Sequence, residues 1–400
     1  MKKYRVVQWA TGGMGKNCLR ALIDHPAMEL VGVYVYGADK EGKDAGIIAR
    51  REPNGVLATR DVDEILALDA DVVIHAARLA PPYGSHDADI LRLLAARKNV
   101  ISINGYSRPQ HWGGERVAAL EAACRTGGTS LLGAGLNPGY AGEQLAVVAT
   151  GVCTEIDHIE VIESVDCRPV RSPDYVFKIL GFGAEPNAVD PNDPAWGPSS
   201  SLNGMYAEVL STMAERLGMP LERVATEHRA FPASADLQIG AGFIPRGRVS
   251  HFNWRWRGIV RGAPRLTMSI HWYMETAHLD EPQPPLWRIH VQGQPGVRMA
   301  IELEKRAGDT SPTSAEQIAV AGTVINAIPI VCAAPPGIAA AAERASSSDR
   351  PAPEASAAPV RRRFAIGALA QRHERWLVLV AGLLIGAIAI AVWTSTRPAA

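Results

Sequence analysis

The sequence predicts an α/β protein: an N-terminal Rossmann domain with a parallel sheet, then an α+β domain with a mostly antiparallel sheet. Three observations predict it. The chain opens on an apolar run, Val6-Val7-Gln8-Trp9. It then turns through Ala10-Thr11-Gly12-Gly13-Met14-Gly15 into a helical pattern carried by Leu19, Leu22 and Ile23. Apolar runs and helical stretches alternate, with short connections, to about residue 140. Beyond that point several segments alternate apolar and polar residues with period two.

The first strand is Arg5 to Ala10, and its glycine turn reads A-x-G-x-x-G. Gly12 lets a backbone approach a pyrophosphate, Gly15 lets the next helix pack close to the strand, and the helix N-terminus offers N–H groups to an anion. Leu30 to Tyr36 is a second strand, rich in β-branched and aromatic residues. A helical stretch from Val62 to Leu68 precedes a strand at Asp71 to Ala76. A helix from Ser85 to Arg97 carries Ile90, Leu91, Leu93 and Leu94 on one stripe. Strands at Asn99 to Ile103 and Ser130 to Gly133 flank a helix at Glu115 to Arg125. A parallel sheet binds ligands beyond the carboxyl ends of its strands. The loops after Ala10, Tyr36, Ala76, Ile103 and Gly133 therefore belong around one cleft.

In the second half, Phe252, Trp254 and Trp256 share one strand face, and Leu266, Met268, Ile270, Trp272 and Met274 share another. Trp287 to Val291 and Val297 to Leu303 repeat the pattern. Such strands bury one side of an antiparallel sheet. A helix from Met205 to Leu217 interrupts them, and Ser314 with Gln317 caps a last helix that runs to Ile328 and can return to the first domain. The domains predicted are thus 1–140 (Rossmann), 141–337 (α+β), 338–375 (a flexible Ala/Ser/Pro-rich linker) and 376–393 (a transmembrane helix). Trp376 to Trp393 is 18 residues without a charge and with tryptophan at both ends, long enough to cross a ~30 Å hydrocarbon layer. Five arginines between Arg361 and Arg375 precede it and only Arg397 follows, which keeps the body on the cytoplasmic side.

Composition excludes several classes. Net charge is zero, which gives no electrostatic case for nucleic acid. The five cysteines are widely spaced, with no C-x-x-C pair and no metal-ligand cluster. Candidate cofactor contacts are Ala10, Thr11, Gly12, Gly13, Met14, Gly15 and Ala76. Lys40, with Lys43 beside it, suits a 2′-phosphate and points to NADP; NAD stays open because Asp39 is near. Candidate substrate-handling residues are His75 at a strand end, Asn104 and Tyr106 in one loop, and Asn137 in another, with Arg78 and Tyr140 beside them. Each also has an ordinary structural reading: a satisfied histidine, solvated lysines, or a turn leaving the first domain.

With these residues in view, the chain resembles NAD(P)-dependent reductases of the dihydrodipicolinate reductase type. It is most similar to their 2,4-diaminopentanoate dehydrogenase and native amine dehydrogenase branch. Trp9-Ala10-Thr11-Gly12-Gly13-Met14-Gly15, Gly135-Leu136-Asn137-Pro138-Gly139, Leu180-Gly181-Phe182-Gly183, Asn326-Ala327-Ile328-Pro329 and Pro335-Pro336-Gly337 carry the resemblance, which spans about residues 3 to 338. It implies hydride transfer to or from a C=O, C=N or amine-bearing carbon of a small substrate. It also implies a second domain that builds a homo-oligomer, with a homodimer expected. Two departures stand out. A carboxylate follows the strand ending at Ile103 in the amine-dehydrogenating branch, whereas this chain has Asn104-Gly105-Tyr106 and no acid before Glu115. The His and Lys pair of the lysine-pathway reductases is also absent as a motif. The alternative to an enzyme is a non-catalytic, membrane-tethered NAD(P)-binding sensor.

Overall fold

The computed structural model describes residues 3–339. The predicted helix at 376–393 and nearly all of the predicted linker lie outside the described residues.

The first sheet is built from β1 (Tyr4–Trp9), β2 (Met28–Tyr34), β3 (Ala58–Thr59), β4 (Val72–His75), β5 (Asn99–Ser102) and β6 (Ser130–Gly133). The helices between them are α1 (Gly13–Ile23), α2 (Ala45–Ala49), α3 (Val62–Ala67), α4 (Asp87–Ala95) and α5 (Gly114–Gly127). The strands pair in parallel in the order β3-β2-β1-β4-β5-β6. That order reverses between β1 and β4, where a doubly wound sheet opens its ligand crevice. Both faces are covered, so the strands are apolar on both sides. Val72 and Ile74 lie in a core with Cys18 and Leu22 of α1, whereas Val73 lies in a core with Leu93 of α4 and Leu120 of α5. The edge strand β3 and the short α2 carry too few residues to show a period, and the sequence reading passed over both.

After β6 the chain runs through π-helical turns at Ala141–Ala146 into α6 (Val147–Ala149) and then β7 (Glu155–Asp166). The long helix α7 (Gly197–Arg216) follows, eight residues ahead of its predicted start. Its first turns are glycine, proline and serines, and it is buried almost all round, so no apolar stripe marks its beginning. Next come β8 (Leu221–Thr226), β9 (Arg229–Pro232), the hairpin β10 (Leu237–Ile239) and β11 (Gly242–Ile244), then β12 (Val249–Val260), β13 (Ala263–Tyr273), β14 (Trp287–Gln294) and β15 (Val297–Ile301). The second sheet has the order β15-β14-β7-β13-β12-β8, with β9 also on β12. The tryptophan face predicted for β12 is buried: Phe252, Trp254 and Trp256 pack with Val209, Leu210 and Met213 of α7. Tyr206 of α7 stacks on Trp256 with ring centroids 4.3 Å apart.

This sheet is mixed rather than antiparallel throughout, because β13 pairs with β7 in parallel. A period-two pattern specifies which side of a strand is buried, not the direction of its neighbour.

The final helix, α8 (Ala315–Ala333), begins with the predicted capping box. Gln317 N–H donates to Ser314 Oγ at 3.2 Å, and Ser314 N–H donates to Gln317 Oε1 at 3.3 Å. Val324, Ile328 and Val331 of α8 sit in the core that contains Cys18 and Leu22. The last described strand, β16 (Gly337–Ile338), adds to the first sheet beside β6. Ile338, where composition places the start of a linker, is therefore hydrogen-bonded sheet. Among the described residues α8 is the one helix long and apolar enough to cross a membrane, and it is a packed helix of this fold.

Candidate functional site

The turn after β1 has the features an anion cradle needs. Ala10 occupies the first glycine position of the fingerprint and has φ +70°, a left-handed conformation that costs a non-glycine residue roughly 1 kcal/mol or more. The Gln8 side chain steadies it, its Nε2 donating to Ala10 O at 2.9 Å. A Cβ on Gly15 would stand 2.2 Å from that same carbonyl oxygen, so only glycine lets α1 sit this close to β1. Gly12 and Gly13 are exposed, with open space where a Cβ would be. The N-terminus of α1 has no side-chain cap and no acid in its first turn, and Met14 is half-buried inside that turn. Thr11 Oγ1 is buried without a hydrogen-bond partner. Uncapped helix N–H groups, an orphaned hydroxyl and open space over two glycines fit a dinucleotide pyrophosphate.

Cations gather beside this turn. Lys40 Nζ donates to Thr11 O at 3.0 Å, tying the loop after β2 to the glycine turn. Burial lowers the Lys16 ammonium pKa, and the neighbouring charges of Lys40, Arg50 and Arg20 lower it further. Lys43 is exposed farther along the loop, and Asp39 folds back over Gly37. Trp9, the first residue of the glycine-turn motif, stacks on Tyr34 at 3.9 Å and donates its indole N–H to Tyr36 Oη at 3.0 Å.

At the end of β4, Ala76 N–H donates to Trp9 O at 3.0 Å, so its backbone closes the floor of the crevice. His75 is fully buried, neither ring nitrogen has a hydrogen-bond partner, and burial together with His86 lowers its pKa to about 3. It is a neutral imidazole, unsuited to exchanging protons near neutral pH. Arg78 is exposed, and its carbonyl accepts from His86 Nε2 at 2.9 Å.

The loop after β5 turns sharply through Gly105 (φ +92°) and Tyr106 (φ +65°). Asn104 is buried and donates Nδ2–H to Ala77 O at 2.9 Å, joining the loops after β4 and β5. The Tyr106 hydroxyl donates to Asp87 Oδ1 at 2.5 Å, and Asp87 in turn pairs with Arg116 at 2.7 Å. Burial and Asp87 push the Tyr106 pKa far up, so the phenol keeps its proton. Asn137 faces the second sheet. Its Nδ2–H donates to Glu163 Oε2 at 2.9 Å, while its Oδ1 is buried without a partner. Tyr140 is half-buried against the core of the second sheet. Ala10 to Gly15, Lys40, Ala76 and Asn104 thus line one sheet edge, while Tyr106, Asn137 and Tyr140 point their side chains into packing around it.

Three carboxyl groups were missed by sequence reasoning, two of them buried (Glu143 and Glu208) and one half-buried (Glu163). Glu143 lies in the π-helical turns, Glu163 in β7 and Glu208 in α7; burial raises the pKa of each, Glu163 to about 7. A signal existed: Glu143 and Glu208 each have apolar residues on both sides, in residues 139–148 and 205–210, where an ionised side chain is costly.

Comparison with known proteins adds the following. The dihydrodipicolinate reductase N-terminus family matches residues 6–81. An amine dehydrogenase from Streptomyces virginiae is 28% identical over 352 residues, covering 83% of this chain and 93% of its own length. A 2,4-diaminopentanoate dehydrogenase from Acetoanaerobium sticklandii is 22% identical over 343 residues, covering 84% and 92%. The structure of an amine dehydrogenase from Mycobacterium smegmatis shares the fold with a TM-score of 0.67 at 19% identity, covering 85% of this chain and 95% of that one. The chain covers more than nine-tenths of the length of each of these dehydrogenases. It is an NAD(P)-dependent oxidoreductase, similar to amine dehydrogenases.

Proposed function

We propose that this oxidoreductase transfers a hydride to or from a C=O, C=N or amine-bearing carbon of a small substrate, with NADP as the preferred cofactor. The observation that carries the reading is the uncapped α1 N-terminus over Gly12 and Gly13, set at the strand-order reversal between β1 and β4. Thr11 and the α1 amides would hold the pyrophosphate, and Lys40 with Lys16 would face a 2′-phosphate. The bound cofactor supplies the hydride chemistry. The chain's part is to orient: Asn104 fixes the two loops at the crevice, and the buried His75 keeps charge out of it.

The test is a titration of the full-length protein with NADPH and NADH, followed by nicotinamide fluorescence, and then a screen of carbonyl and amine substrates. Micromolar NADPH binding, about −8 kcal/mol, with turnover is the expected result. In Lys40→Ala, NADPH affinity should fall by roughly tenfold more than NADH affinity, about 1.4 kcal/mol of selectivity. An equal fall for both cofactors would make Lys40 only a strut for the Thr11 carbonyl. Tight binding without turnover of any amine or carbonyl would favour the sensor alternative.

We propose a cytoplasmic, homodimeric body tethered by the apolar segment Trp376–Trp393. The full chain is then expected in the membrane fraction, and a chain ending at Val360 in the supernatant. Recovery of both without detergent would remove the anchor.

A further inference from the structure

The loop after β5 is held from the other half of the molecule by one buried carboxyl group. Glu208, fully buried on α7, accepts a hydrogen bond from the Tyr83 hydroxyl, in the loop after β4. Its second oxygen accepts from the Arg108 backbone N–H at 2.5 Å. The Tyr83 hydroxyl in turn accepts from Tyr106 N–H at 3.4 Å. One side chain of the second half therefore ties together both loops that meet at Asn104.

The surroundings are shaped for this contact. A Cβ on Gly105 would stand 2.1 Å from the Tyr83 hydroxyl and 3.3 Å from Glu208 Oε2, so glycine at 105 makes the room. A Cβ on Gly204, one turn before Glu208 in α7, would stand 2.4 Å from Tyr83 Cβ, so glycine there lets the tyrosine lie against the helix. Gly133 of β6 lets the loop backbone itself lie close, since a Cβ there would stand 2.4 Å from Gly105 O and 2.7 Å from Ser107 N. Gly105 and Gly204 clear space around one acid and one phenol, and Gly133 clears space for the backbone of the loop they hold.

We propose that Glu208 is a positioning residue for hydride transfer, holding Asn104 and its loop in register with the crevice through Tyr83 and the Arg108 amide. The inference rests on the oxidoreductase reading above. The charged and titratable groups that face it are Tyr83, Arg116 (whose guanidinium lies 5.2 Å from the Tyr83 ring centroid), Arg108 and the second buried acid, Glu143. Glu143 grips the same loop from the far side: its oxygens accept from Gly139 N–H at 2.8 Å and from Ser107 Oγ at 3.4 Å. Two buried carboxyls flanking one segment disfavour double ionisation. Ionising both carboxyls puts two like charges around Ser107-Arg108 and loosens the loop, so kcat has an alkaline limb that belongs to this pair.

The experiment compares wild type, Glu208→Gln and Tyr83→Phe in the full-length protein, measuring kcat against pH with the best substrate of the screen and the Kd for NADPH. Glu208→Gln keeps an acceptor and stays neutral, so it should lose the alkaline limb while its NADPH Kd stays within about twofold of wild type. Tyr83→Phe cuts the tie, and kcat should fall by up to about a hundredfold at unchanged NADPH Kd, as expected for a displaced catalytic loop. An alkaline limb in Glu208→Gln identical to wild type, or unchanged kcat in Tyr83→Phe, overturns this inference and leaves the oxidoreductase reading intact. A wild type that binds NADPH but turns over nothing overturns both. Circular dichroism melts of the variants tell a misfolded protein from a mispositioned loop, and Glu208→Asp, with its shorter reach, should restore the limb but not the full kcat.

Discussion

Gly15→Ala should weaken the binding of both dinucleotides by about tenfold or more. The added Cβ would lie 2.2 Å from Ala10 O and 2.9 Å from Ala10 C, both backbone atoms that cannot rotate away. Ala10 is already left-handed and clamped by Gln8, so the turn has little freedom to give. Relief requires α1 to tilt away from β1, which carries the uncapped N–H groups off their target. The overpacking itself costs roughly 1–3 kcal/mol of stability. NADPH and NADH affinity should fall together by at least tenfold, about 1.4 kcal/mol, because the pyrophosphate is common to both. Isothermal titration of the folded variant checks this. Affinity within twofold of wild type would show that the dinucleotide does not lie on this turn.

The second large effect is on stability. Glu163 accepts hydrogen bonds from Trp287 Nε1 and Asn137 Nδ2, each at 2.9 Å, and burial outweighs both, raising its pKa from 4.5 to about 7. An acid with a raised folded-state pKa binds its proton more tightly folded than unfolded. Its contribution is therefore most favourable below about pH 4.5 and is lost as pH rises through about 7. The loss is at most roughly 3 kcal/mol, and less in so far as the half-buried residue reaches water. Glu163→Gln removes the titration. Urea melts at pH 5 and pH 8 should show wild type losing about 2–3 kcal/mol more than the variant over that interval. Equal losses would mean that the carboxyl is ionised throughout. The orphaned Asn137 Oδ1 fits the protonated form: turned over, that amide oxygen accepts from a Glu163 hydroxyl or from the amide of the glutamine variant.

How far the sequence carried this picture depends on the kind of signal. Alternation of apolar runs and helices is a local property, and it located every long strand of the first sheet and the helices α1, α4 and α5. The capping box of α8 was readable because both partners lie within one turn. The glycine turn was readable for the same reason. Ala10 could be named as a departure, but its left-handed backbone and the Gln8 clamp become visible only with β1 and α1 in place. The start of α7 was missed because burial on all sides erases the amphipathic period. The parallel pairing of β7 with β13 was missed because alternation says nothing of a neighbour's direction.

Among the site residues, the same division holds. Sequence alone predicted that the loops after β1, β2, β4, β5 and β6 share one edge, and hence that Gly12, Lys40, Ala76 and Asn104 gather there. Only the tertiary structure decided where Asn137 and Tyr106 direct their polar atoms, which acids are buried, and that Glu208 reaches the Asn104 loop across 100 residues of chain to Arg108. The physical reason is range. Secondary structure follows from steric and hydrogen-bond preferences a few residues long. The partner of a buried polar group is chosen by desolvation and packing between segments distant in the chain, and neither leaves a mark on either segment alone.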